Sequence, residues 1–115
     1  MKLAIINIES LDAVSSIDLD TVFSVEPCFD EEEGSVQLIV WSRYKFAGDD
    51  SSDFFIIDAD IDEDSKVTYE EARETTMKAF NLLMDFWSDD SKKVCLITDA
   101  TLRGYTPKMR LNPFE

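Results

Sequence analysis

Residues 53–87 read DFFIIDADIDEDSKVTYEEARETTMKAFNLLMDFW, and the fold turns on how this stretch is parsed. Phe54, Phe55, Ile56 and Ile57 form an apolar run of strand length. Beyond it Asp58, Asp60, Asp62 and Asp64 alternate with Ala59 and Ile61, a two-residue period that points the acids one way. Thr68-Tyr69-Glu70-Glu71 then matches the capping box, a hydroxyl residue followed three positions later by Glu. Tyr69, Ala72, Thr76, Phe80, Leu83 and Trp87 recur at three- and four-residue steps, with Met77 and Met84 at the margin. This spacing predicts a helix over 68–87 whose apolar stripe must be buried. A strand, an acid-loaded loop and one long helix leave the remaining chain to supply a sheet beneath that stripe.

Four further strands suit that role. Leu3–Ile8 is a short apolar run, and Ser10–Ile17 reads as a connection. Thr21–Phe29 carries Val22, Phe23 and Val25, with Pro27 pushing its end towards a sheet edge. Asp30-Glu31-Glu32-Glu33-Gly34 makes a hairpin tip before Ser35–Phe46, the longest strand. On that strand Val36, Leu38, Val40, Tyr44 and Phe46 share one face, while Gln37, Ile39, Trp41, Arg43 and Lys45 share the other. Residues 47–52 are a second acidic turn, and Lys92–Thr98 is a last strand after the helix. Short turns between consecutive strands imply antiparallel pairing. The expectation is one α+β domain over 1–115: an antiparallel sheet of about five strands with the helix 68–87 packed on one face. The tail beyond Leu102 reads as an edge strand or docking segment.

The charge is the outlying total. Twenty-five acids oppose eleven bases, a net −14, which adds self-repulsion beyond what solubility needs. Disorder is not the explanation, because 44% of the residues are hydrophobic and 11% aromatic. Direct nucleic-acid binding needs clustered Lys and Arg, and the charge pattern argues against it. The start lacks the features of a signal peptide, and no run reaches membrane-spanning length. Cys28 and Cys95 sit in apolar contexts and read as buried thiols of a reducing cytoplasm, with one disulfide between them as the alternative.

Catalysis finds little purchase. The chain has no His, so the usual general base near neutral pH is missing. No CxxC pair or Gly-rich phosphate loop is present, and the chain is not expected to be an enzyme. The sharpest local pattern is Asp60-Ile61-Asp62-Glu63-Asp64-Ser65-Lys66-Val67-Thr68-Tyr69-Glu70-Glu71. It resembles the calcium loop of the EF-hand family, with oxygen ligands implied at Asp60, Asp62, Asp64, Thr68 and Glu71 and through the Lys66 carbonyl. Ser65 stands where the family has Gly, and the entering segment reads as a strand rather than a helix. Strand alternation followed by a capping box produces the same residues without a metal.

Acid falls in three clusters: Asp30–Glu33, Asp49–Asp53 and Asp58–Asp64. These supply the candidate partner-binding residues Asp30, Glu31, Glu32, Glu33, Asp49, Asp50, Asp53, Asp58, Asp60, Asp62 and Asp64. Trp41 or Phe29 would be the apolar anchor, since aromatics dominate binding hot spots. Such a surface suits a basic nucleic-acid-binding cleft, whose complementary charge speeds association. The reading is an acidic inhibitor of a basic nuclease or nuclease toxin: an immunity protein or a phage-type nucleic-acid mimic. The alternative is a calcium-binding structural module built on the loop 60–71, and a third reading is a house-keeping domain whose charge serves solubility alone.

Overall fold

The computed structural model describes residues 2–42 and 53–105. In chain order these form β1 (Leu3–Ile8), β2 (Ala13–Asp18), β3 (Val22–Asp30), β4 (Ser35–Ser42), β5 (Asp53–Asp60), α1 (Tyr69–Ser88), β6 (Val94–Thr98) and α2 (Asp99–Arg103). The architecture is α+β, but the strands divide into two three-stranded sheets, ordered β2-β1-β6 and β3-β4-β5. The expected single antiparallel sheet of five strands is therefore corrected.

Two local features cause the division. A 3-10 turn at Glu9–Leu11 ends in Asp12 with φ of 52°, a left-handed conformation that Asp tolerates better than most residues. The chain then folds back, and β2 pairs antiparallel with β1. Ala13 and Ile17 are its inward residues, so the presumed connection at Ser10–Ile17 is largely a strand. A second 3-10 turn at Leu19–Thr21, opened by Asp18 accepting from the Asp20 amide, carries the chain into the other sheet. After α1, β6 returns beside β1 in the parallel sense, as a crossover through a helix allows.

The second sheet is the expected meander, with β4 paired antiparallel to both neighbours. The helix packs on β3, β4 and β6. One core joins all of it: Ile6 and Ile8 from β1, Val36, Leu38 and Val40 from β4, Ile56 and Ile57 from β5, and Leu83 and Phe86 from α1. The capping box at Thr68 and Glu71 forms in both directions. The helix stripe is rotated slightly from the sequence reading. Ala72, Thr76 and Leu83 are buried as expected, joined by Ala79, Asn81 and Phe86, while Tyr69, Phe80 and Trp87 are half-buried at its flanks.

No basic residue of α1 lies in its last turn, where a cation would complement the helix dipole. Lys2 supplies one from the start of β1. Its Nζ donates to the carbonyl oxygens of Phe86, Trp87 and Asp89 at 2.7, 2.8 and 2.7 Å and lies 5.1 Å from the Phe86 ring centroid. The first strand thereby clamps the end of the helix. Arg43–Ser52, and with them Tyr44, Phe46, Asp49 and Asp50, lie outside the described residues, as does the tail beyond Tyr105.

Candidate functional site

The outward face of the second sheet is built row by row from the strand register. Opposite residues in an antiparallel ladder share a face. Trp41 lies between Ser24 and Asp53, Ile39 between Glu26 and Phe55, Gln37 between Cys28 and Asp58, and Ser35 between Asp30 and Asp60. Trp41, Ile39 and Phe55 thus make an apolar centre, with Phe55 46% exposed. Glu26 and Asp53 flank that centre, and Asp30, Asp58 and Asp60 fill the far end. The Gln37 Nε2 donates to Asp58 Oδ1 at 3.1 Å.

A β-bulge sets this chemistry. The register slips between Leu38 and Ile39, so Ile56 has no partner opposite it on β4. Strict alternation from Phe55 would turn Ile57 outward and Asp58 into the core. The extra residue restores the phase: Ile56 and Ile57 are both buried, and Asp58 and Asp60 join Phe55 outside. The bulge is what makes an acidic face compatible with an apolar core.

Two acidic clusters meet at one end of the sheet. Gly34, at φ of +70°, sits against Ile61; a Cβ there would lie 2.1 Å from the Ile61 carbonyl oxygen. The Ile61 amide donates to the Gly34 carbonyl at 2.7 Å. Only glycine permits this approach, and it brings the tip Asp30, Glu31, Glu32 and Glu33 beside Asp58–Asp64. Asp53 lies at the opposite end with Trp41. The strand ends at Asp60, so Asp62 and Asp64 occupy a turn and the acid row does not continue along the sheet. Phe29 is on the inward face, opposite Val36, under the Arg73 guanidinium at 5.1 Å. Phe29 therefore does not share the outward face, whereas Trp41 lies on it with Ile39 and Phe55. Cys28 is exposed on the outward face and Cys95 half-buried, which corrects the expectation of two buried thiols.

The hairpin tip is also felt at the helix start. Burial raises the Tyr69 phenol above its ordinary value, Arg73 opposes that, and Glu31 and Asp30 reinforce it. Acid at a helix N-terminus is favourable, so part of the crowding at this end is offset locally. Exposed acids also occupy other surfaces, Glu9, Asp20, Glu74 and Asp90 among them. What distinguishes the outward face of the second sheet is acid arranged around an aromatic and aliphatic centre.

In the loop 60–71, three of the implied ligand side chains, Asp62, Thr68 and Glu71, bond within the loop itself. Asp62 Oδ1 accepts from the Asp64 amide at 2.9 Å and from Ser65 Oγ at 3.2 Å. Glu71 and Thr68 are turned towards each other's amides. Among the described residues no three acidic or cysteine side chains gather where they could hold a metal ion, and no helix is long and apolar enough to cross a membrane. Comparison with protein-family models, curated proteins and solved structures finds no match.

Proposed function

We propose that this chain is an acidic inhibitor that binds a basic nucleic-acid-processing protein through the outward face of its second sheet. Immunity against a nuclease toxin is the specific form, and a phage-type nucleic-acid mimic that inhibits a nuclease its sibling. One observation carries the reading: Trp41, Ile39 and Phe55 form an apolar centre framed by Glu26, Asp30, Asp53, Asp58 and Asp60. Interfaces dominated by a few desolvated aromatic anchors within a polar rim have this composition. Asp58 and Asp60, two residues apart on one strand, stand about 6.6–6.8 Å from each other along it. They would meet the Lys and Arg side chains that hold successive phosphates in the partner's cleft. The remaining charge accelerates encounter and deters acidic competitors.

The test is inhibition of DNA cleavage by a panel of purified basic nucleases and nuclease toxins. The proposal expects inhibition of at least one member, lost in Trp41→Ala and in Asp58→Asn/Asp60→Asn while Glu74→Gln inhibits as wild type. Inhibition that survives both face variants, or fails across the panel, refutes it.

A further inference from the structure

The first sheet has an outward face of the opposite character. Its rows run Asp18–Leu3–Val94, Ser16–Ile5–Leu96 and Val14–Asn7–Thr98. Val94 is 60% exposed, Leu96 53% and Ile5 37%, and Asp18 is the one ionisable side chain among the nine positions. In a chain of net charge −14 this is a surface from which carboxylates are nearly absent. We infer that it is a self-association face, and that its occupant is the same face of a second copy.

Charge selects that occupant. A cationic partner finds almost nothing to pair with here, whereas the acidic second sheet offers it five carboxylates. Two copies of this chain repel, and they meet at least cost where neither presents acid. Symmetry adds a specific complement. With a two-fold axis along β1, β2 of one copy lies over β6 of the other and each row lies over its own reversed copy, so that Asp18 lies over Val94. Asp18 then faces the start of β6, which follows Lys92 and Lys93, and the contact occurs twice because the interface is isologous. Leu3 and Ile5 stack on their own counterparts along the axis. The acidic face of the second sheet takes no part in this contact, so the dimer does not depend on the partner proposed above.

The size of the patch sets the strength. Three strands about 4.8 Å apart and about 18 Å long cover roughly 260 Å², well below the ~800 Å² per partner of standard interfaces. The dimer is therefore weak and concentration-dependent. Salt strengthens it, because screening relieves the repulsion between two highly charged copies more than it weakens two exposed pairs.

Sedimentation equilibrium of the full chain, from micromolar to millimolar, tests this. The expected result is a monomer–dimer equilibrium that shifts towards dimer as salt rises. Leu96→Glu and Val94→Glu each weaken it by roughly tenfold or more, with far-ultraviolet circular dichroism unchanged, and Phe55→Glu on the second sheet leaves it as in wild type. Two variants are used so that a folding defect in one does not decide the matter. A monomer throughout the range, a dimer insensitive to both glutamates, or a dimer broken by Phe55→Glu instead overturns the assignment.

Discussion

Replacing Gly34 by alanine tests the junction on which the acidic face depends. The added methyl would sit 2.1 Å from the Ile61 carbonyl oxygen, a backbone atom, at a residue whose φ is +70°. Holding an L-residue in the left-handed region costs about 1–2 kcal/mol. The oxygen cannot rotate away as a side chain would, so the hairpin tip must lift from β5. That movement breaks the 2.7 Å hydrogen bond from the Ile61 amide to the Gly34 carbonyl, worth about 1 kcal/mol. Alanine also stiffens the unfolded chain, which returns about 0.4–1 kcal/mol to stability. The net loss is about 2 kcal/mol. For 115 residues the unfolding entropy is about 240 cal/mol/K, so Tm falls by about 8 °C. Gly104→Ala is the control: its φ is −91°, nothing lies within 4 Å of a Cβ there, and Tm should hold or rise slightly. Thermal unfolding by circular dichroism reads both. If Gly34→Ala melts within about 2 °C of wild type, or if the two variants behave alike, the close approach at Ile61 is not as described.

Three other outcomes follow from the geometry. Lys2→Met keeps the length of the side chain but removes the three hydrogen bonds to the end of α1; stability should fall by about 2 kcal/mol, with amide exchange accelerated first at residues 86–89. Alkaline pH should destabilise the protein. Burial raises the Cys95 thiol above its ordinary 9.0, and burial together with the hydrogen bond to Asp85 raises the Tyr105 phenol far above its ordinary 10.0. A raised folded value means that the unfolded chain loses its proton first, so the stabilisation is complete below about pH 9 and declines as pH rises through the shifted values. Tyr105→Phe should melt lower than wild type at neutral pH yet decline less steeply above pH 10. Calcium at millimolar concentration should leave Tm unchanged, because Asp62 and Glu71 are held by their own loop; a shift abolished by Asp62→Ala and Glu71→Ala would establish the alternative calcium-binding function.

Much of the scaffold is legible in the sequence because it is local. The capping box names the helix start within a residue, and alternation on β4 sorts Val36, Leu38 and Val40 inward from Ile39 and Trp41. The division into two sheets is not legible, since it depends on Asp12 adopting a left-handed φ and on Ala13 and Ile17, a sparse apolar pair, closing a strand against β1. Parallel pairing of β1 with β6 joins residues some ninety positions apart, and no local pattern encodes it. The site divides the same way. Trp41 and the acids are visible as types, but the side that Asp58 and Asp60 take on β5 depends on the bulge at Ile56. Two consecutive buried isoleucines before Asp58 are the one sequence signal for it, since strict alternation cannot bury both. The meeting of Asp30–Glu33 with Asp58–Asp64 rests on Gly34, which as a turn glycine announces a hairpin but not what it touches. Lys2 as a helix clamp has no signature beyond being the one base among residues 1–42.

We propose recognition of a basic protein by the outward face of the second sheet, through acids grouped around Trp41. Its most direct test is the association rate between this chain and a purified basic nuclease that it inhibits, followed as the Debye length shrinks from ~30 to ~3 Å. Wild type should associate fast at low salt and slow steeply as salt is added. The variant Glu26→Gln/Asp30→Asn/Asp58→Asn/Asp60→Asn should lose most of that dependence, and Trp41→Ala should keep it while dissociating faster. A salt dependence that persists when these four carboxylates are neutralised would place the contact on another surface and contradict the account.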